Sequence, residues 1–240
     1  MIKTLPIGLL ILFTSTFLFA QPATKDKPAA TGDEQAATEI AKAALAAHGG
    51  DKLKALKALV VKGTVDMNVM GQSLQAVFST TFRGDKYYFD MESPVQSFKQ
   101  VYNGQTTYTS MQGFYLPPVS SIGFPVLAHI GDTGYVVSVP GAKKGKGFRV
   151  TTPEGYYTDF FIDDKTKQIK SYESSYDMGG GRTATTSVQI DEFQNVDGIL
   201  TPKKFSQRFD LASITAYASF TAKTILINPA IEDSAFAMPK

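Results

Sequence analysis

The chain has two histidines, and one of them opens a His48-Gly49-Gly50 run. In esterases such a run supplies the backbone donors of an oxyanion hole, but that chemistry also needs a nucleophilic serine on a G-x-S-x-G elbow. No such elbow occurs here. A metal centre would have to be built from His48, His129 and unclustered carboxylates, because the chain has no cysteine. The carboxylate pairs Asp163-Asp164 and Asp191-Glu192 fall at turns or strand ends, where solvated charge is their ordinary role. "PGAKKGKGF" lacks the spacing of a phosphate-binding loop, and "GKGFRV" does not complete G-x-G-x-x-G. Arg83-Gly84-Asp85 reads as a hairpin turn before it reads as an adhesion motif. Nothing nominates a catalytic constellation, so the chain is expected not to be an enzyme and to need no cofactor or metal. An enzyme built from groups distant in sequence stays open.

His48 is better explained by the helix it ends. Residues 33–48 are alanine-rich, with Ala37, Ile40, Ala41, Ala44 and Leu45 on one stripe at helical spacing. Thr31, with Glu34 three residues later, offers a capping box. His48 continues the stripe, and Gly49 falls where a left-handed residue closes a helix. Asp51 is placed to cap a second short helix, "DKLKALKAL". The glycines are expected to stop a helix, not to hold an oxyanion.

From Leu59 the period becomes two. Leu59, Val61, Val65, Met67 and Val69 alternate with Lys62, Thr64, Asp66 and Asn68. Leu74, Ala76, Phe78, Thr80 and Phe82 share the next face, followed past "RGDK" by Tyr87, Phe89 and Met91. "YNGQ" at 102–105 is an Asn-Gly hairpin signal, and further strands are expected between residues 135 and 228. The result is a mainly β protein with an N-terminal helix, about eleven strands joined by short hairpins. Without helical crossovers these form one antiparallel sheet, which must curl to bury its apolar face. The exception is the Pro- and Gly-rich stretch 114–134, which carries Phe124, Val126, Leu127 and Ile130. A long apolar loop in a regular meander is expected to be a lid or plug over a cavity, or the cover of an open sheet end. His129 lies in it and is expected to pack there rather than to catalyse.

The ends and the charge place the protein. Residues 1–20 combine Lys3, the apolar run 7–19, and Leu18 and Ala20 before a cleavage point at Gln21. A membrane anchor is the alternative, against which stand Pro6 and the short run with Thr14, Ser15 and Thr16. Residues 21–33 read as a mobile leader and 34–240 as a single domain. A formal charge of +2 with scattered lysines does not indicate nucleic-acid binding. A soluble periplasmic protein without disulfides is expected.

The order of these segments carries a resemblance. An export signal, a helix, "AHGG", the strand "ALVVKGTV", and later "FQNVDGILTPKKF" and "ILINPAIEDSAFAMP" resemble the outer-membrane lipoprotein-sorting-like proteins, relatives of the periplasmic lipoprotein carrier. The resemblance spans about Ala36 to Pro239. It implies a strongly curved, unclosed β-barrel whose concave face, covered by a helix and the apolar flap, holds acyl chains of a lipid or lipoprotein. It also implies that Arg83 bonds to the flap and latches it; a solvated turn residue is the alternative. Gly84 stands where the carrier has proline, and the chain has no tryptophan. The expected cavity residues are Val65, Met67, Phe78, Phe82, Tyr87, Phe89, Phe124 and Leu127. A monomer is expected, with a membrane export or receptor protein as a further partner. An envelope sensor or interaction module on the same fold is the alternative function.

Overall fold

The computed structural model describes residues 32–69, 71–95, 97–110, 119–141, 145–177, 181–211 and 214–238. Residues 1–31, with the expected export signal and the capping residue Thr31, fall outside them; of the expected leader 21–33, Gly32 and Asp33 are described and already belong to the first helix. The described chain opens with helix α1 (Gly32–Ala47) and the single turn α2 (Asp51–Lys54). Ala37, Ala41 and Ala44 of α1 are buried, so the alanine stripe is the packing face. The helix stops as the sequence requires. The Gly50 N–H donates to the Leu45 carbonyl at 2.9 Å and the Gly49 N–H to the Ala46 carbonyl at 3.2 Å, a Schellman closure. Gly49 has φ of 115°, and a Cβ there would lie 2.9 Å from the Gly198 carbonyl oxygen, so only glycine fits. One expectation is corrected: Gly50, not Asp51, is the N-cap of α2, and Asp51 stands inside its first turn without a side-chain cap.

Twelve strands follow, against about eleven expected. They are β1 (Ala58–Val69), β2 (Gln72–Arg83), β3 (Lys86–Glu92), β4 (Ser97–Tyr102), β5 (Thr107–Thr109), β6 (Val136–Ser138), β7 (Gly147–Thr151), β8 (Tyr157–Ile162), β9 (Ile169–Asp177), β10 (Thr183–Val196), β11 (Ile199–Leu211) and β12 (Ile214–Ile227). All belong to one antiparallel sheet in the order β5-β4-β3-β2-β1-β12-β11-β10-β9-β8-β7-β6, not closed into a barrel. Two meanders are thus joined through β1 and β12. The connection between β5 and β6 must travel from one edge of the sheet to the other. That topology is why a long connection, described from residue 119, separates β5 from β6.

Directly paired residues share a face, so the register sorts the side chains. Phe148, Phe160, Tyr172 and Val188 pair in succession from β7 to β10, and Ile190, Phe205, Phe220 and Val65 from β10 to β1. This is the concave, apolar face. Helix α1 and residues 124–130 of the β5–β6 connection pack on it.

Candidate functional site

The apolar face divides into two clusters. In the first, Ala37, Ala41 and Ala44 of α1, Val126, Leu127 and Ile130 of the β5–β6 connection, and Phe148, Phe160, Ile169 and Val188 of the sheet are buried together. Here the described part of the flap forms two 3₁₀ turns, Val119–Ser121 and Phe124–His129. Val126 and Leu127 have no exposed surface, so this segment fills the concavity as a plug. The Gly123 N–H donates to Thr158 Oγ1 at 2.9 Å, a buried bond that anchors its entry. At its exit Lys54 of α2 donates to the Ile130 carbonyl at 2.8 Å and to Asp132 at 2.7 Å. The hydrogen bond from the Lys54 ammonium lowers the Asp132 carboxyl pKa, and the imidazole of His129, bonded to the same carboxylate, adds to it.

His48 is fully buried beneath the plug. Its Nδ1–H donates to the Leu200 carbonyl at 2.9 Å, and its Nε2 accepts from the Ile169 N–H at 3.0 Å. Its ring lies 5.1 Å from that of Phe124 and 5.0 Å from that of Phe193. Burial holds the imidazole below its ordinary pKa. Both nitrogens are committed to backbone groups, which leaves neither for a substrate. His129 stacks on Tyr135 with centroids 4.7 Å apart and bonds Asp132 at 3.0 Å. It is half-exposed rather than enclosed by apolar neighbours, because it stands at the end of the plug. Among the described residues no three potential metal ligands come together.

Among the described residues the second cluster is built from strands. Val65, Ala76, Phe78, Ala218 and Phe220 are buried, with Val61, Met67, Phe89, Met91 and Phe205 half-buried against them. Phe220 stacks on Phe205 at 4.8 Å and meets Phe78 edge-on at 5.2 Å. Of the expected cavity residues, Val65, Met67, Phe78 and Phe89 meet here. Phe124 and Leu127 belong to the plug. Phe82 and Tyr87 lie on the same face but meet each other, tilted, at 6.4 Å, and Tyr87 stacks on Tyr102 at 6.2 Å. Met91, Phe205 and Phe220 were not among the expected residues. Their strands alternate legibly, but nothing local says that β12 crosses back to β1.

Arg83 lies elsewhere. It pairs with Ala58 and Lys86, one residue out of phase with Phe82, and so projects from the opposite face. There it donates to the Ile231 carbonyl at 2.5 Å, bonds Asp233, and sits 5.3 Å from the Phe236 ring centroid. Lys86 reaches the same carboxylate at 3.0 Å, and Lys86 and Arg83 hold the Asp233 pKa down. The described partners of Arg83 are therefore in the C-terminal segment, with the sheet between them and the plug. Among the described residues it is Lys54 that bonds the exit of the plug.

No protein-family model matches the sequence, and no curated protein matches it. Solved structures do. A DUF1329 family protein from Desulfovibrio piger superposes with a TM-score of 0.52 at 12% identity, over 86% of this chain and 98% of that one. A LolA superfamily protein from Nitrosomonas europaea gives 0.51 at 10% identity, over 81% and 97%. The chain shares the LolA-superfamily fold. A protein described as an outer membrane lipoprotein-sorting domain, from Vibrio parahaemolyticus, has the same fold: TM-score 0.50, 9% identity, 85% of this chain and 97% of that one.

Proposed function

We propose that this LolA-like chain is an exported binding protein of the periplasm, not an enzyme. It holds acyl chains of a lipid or lipoprotein against its concave face and hands them to a membrane protein during envelope lipid or lipoprotein trafficking. The second apolar cluster carries this reading. Helix α1 and the plug fill the concavity over β6–β11, whereas Met67, Phe89, Met91 and Phe205 remain only partly covered beside β1–β3. An acyl chain laid there gains about 0.8 kcal/mol per methylene removed from water and asks for no directional bonds. Methionine and phenylalanine suit it, because their shapes adapt to a chain without fixed geometry. No helix among the described residues is long and apolar enough to cross a membrane.

The reading is tested by mass spectrometry of an organic extract of protein purified natively from the exported fraction. Lipids bearing acyl chains should be recovered with the wild type and depleted with Phe89→Glu, which places a carboxylate on the apolar cluster. Equal lipid from both proteins, or none from either, would sink it.

A further inference from the structure

The strands that carry the second apolar cluster on their inner face are the ones that the C-terminal segment crosses on their outer face. Apart from Phe205 on β11, every member of that cluster stands on β12, β1, β2 or β3. Behind these strands the chain leaves β12 at Asn228. Its N–H donates to the Ala58 carbonyl at 2.8 Å, and its Oδ1 accepts from the Lys57 and Ala58 N–H groups at 2.8 and 3.1 Å. The segment is thus pinned at the start of β1. It then passes Arg83, the last residue of β2, which donates to the Ile231 carbonyl. It ends in a single 3₁₀ turn, Asp233–Phe236, packed against β3, where Lys86 bonds Asp233 at 3.0 Å. Of residues 232–237 only Phe236 is buried, so one ring and one shared carboxylate fix the far end.

We propose that this segment is a strap that keeps the apolar groove open by limiting how far these strands curl, and that its release lets the groove close. What the groove holds rests on the acyl-chain reading; the strap itself does not. A sheet that is not closed into a barrel has no seam to fix its curvature, so something else must set it. Further curling lengthens the path across the convex face. From β12 to β3 that path is three strand spacings, about 14 Å. The chain from Asn228 to Asp233 reaches at most about 17 Å when fully extended. Little slack remains, and any oblique course uses it up, so added curl has to pull Asp233 and Phe236 away from β3. The far anchor is suited to release. The Asp233 side chain is 80% exposed, and a segment with a single buried side chain belongs to the least stable parts of a fold. Exposed ion pairs of this kind are weak and are screened by salt.

Spin labels read the curl directly, because the chain has no cysteine and two can be introduced cleanly. Val95→Cys in the β3–β4 connection and Glu154→Cys in the β7–β8 turn lie at the same end of the sheet, on its two limbs, and both positions are exposed. Double electron–electron resonance on this pair should give a shorter distance when Arg83→Leu or Phe236→Ala is added. Without labels, the same two variants should bind the fluorescent fatty acid cis-parinaric acid about threefold or more weakly than wild type, since the open groove is then populated for less of the time. Val77→Ala, an exposed position farther along the same face of β2, should change neither readout. The proposal is overturned if both variants keep the parent distance, or if the distance shortens while fatty-acid affinity stays that of wild type. If wild type takes up no fatty acid, the acyl-chain reading fails and the distance alone decides the strap. Thermal melts show whether each variant is folded. If neither is, the distance in the unaltered strap decides: molar sodium chloride should shorten it, and an unchanged distance overturns the proposal.

Discussion

His48 shows how one side chain joins three parts of the molecule. It ends α1, accepts from the first residue of β9 and donates to β11, with Phe124 of the plug against its ring. Removing the ring leaves two buried backbone groups without partners and a void, so His48→Ala should cost about 3–5 kcal/mol in urea unfolding. Its titration gives a sharper test. The ring has a lowered pKa, because burial takes the charged form out of water; the Leu200 carbonyl only partly offsets this. Below about pH 6.5 the unfolded chain takes up a proton that the folded chain refuses. Stability from His48 is complete above that pH and falls as the pH drops toward the folded value, by at most about 1.4 kcal/mol per unit. Unfolding free energies from pH 7.5 to 5 should slope downward in wild type and less so in His48→Phe. Equal slopes would mean that His48 does not resist protonation. The His-Gly-Gly run was readable as a helix stop because Schellman chemistry is local. Its partners in β9 and β11 were not, because they lie 121 and 152 residues away.

At the level of elements, the hairpins and the alternation were legible because turn chemistry and strand period are short-range properties. Asp197-Gly198 is an example: both residues have positive φ, and the two-residue turn joins Val196 to Ile199. The plug's path was not legible, since it depends on β5 and β6 being opposite edges of one sheet. The described partners of Arg83 were not legible for a related reason. Its hairpin was clear, but Arg83 follows the inward-facing Phe82, so it lies on the other face of the sheet from Val126 and Leu127. The two cations should separate in hydrogen exchange. Lys54→Met should raise exchange at Val126 and Ile130 by removing its bonds to the Ile130 carbonyl and Asp132, at a cost of about 1 kcal/mol. Arg83→Leu should raise exchange around Ala235 and Ala237, whose N–H groups bond within the C-terminal turn, and leave the plug as it was. If Arg83→Leu loosens Val126 instead, the assignment of the two cations is reversed.

Over the whole molecule, a single sheet presents two chemically distinct faces. One is apolar, with α1 and the plug packed on one part of it and a cluster of buried and half-buried strand side chains on the other. The other is polar and clamped near Ala58 by the C-terminal segment. Period-two alternation made the two faces legible, but the union of β1 with β12 sets which aromatic residues from distant strands meet. Of the expected cavity residues only Val65, Met67, Phe78 and Phe89 share the second cluster, and that union supplies Phe220 and Phe205 beside them. Photo-crosslinking with a diazirine-bearing fatty acid, mapped by peptide mass spectrometry, asks most directly whether this cluster holds an acyl chain. The adducts should fall on Met67, Phe89, Met91 and Phe205, and an excess of unlabelled palmitate should suppress them. Adducts confined to the opposite face, around Tyr217 or Phe236, or none that palmitate displaces, would contradict acyl-chain binding at the concave face.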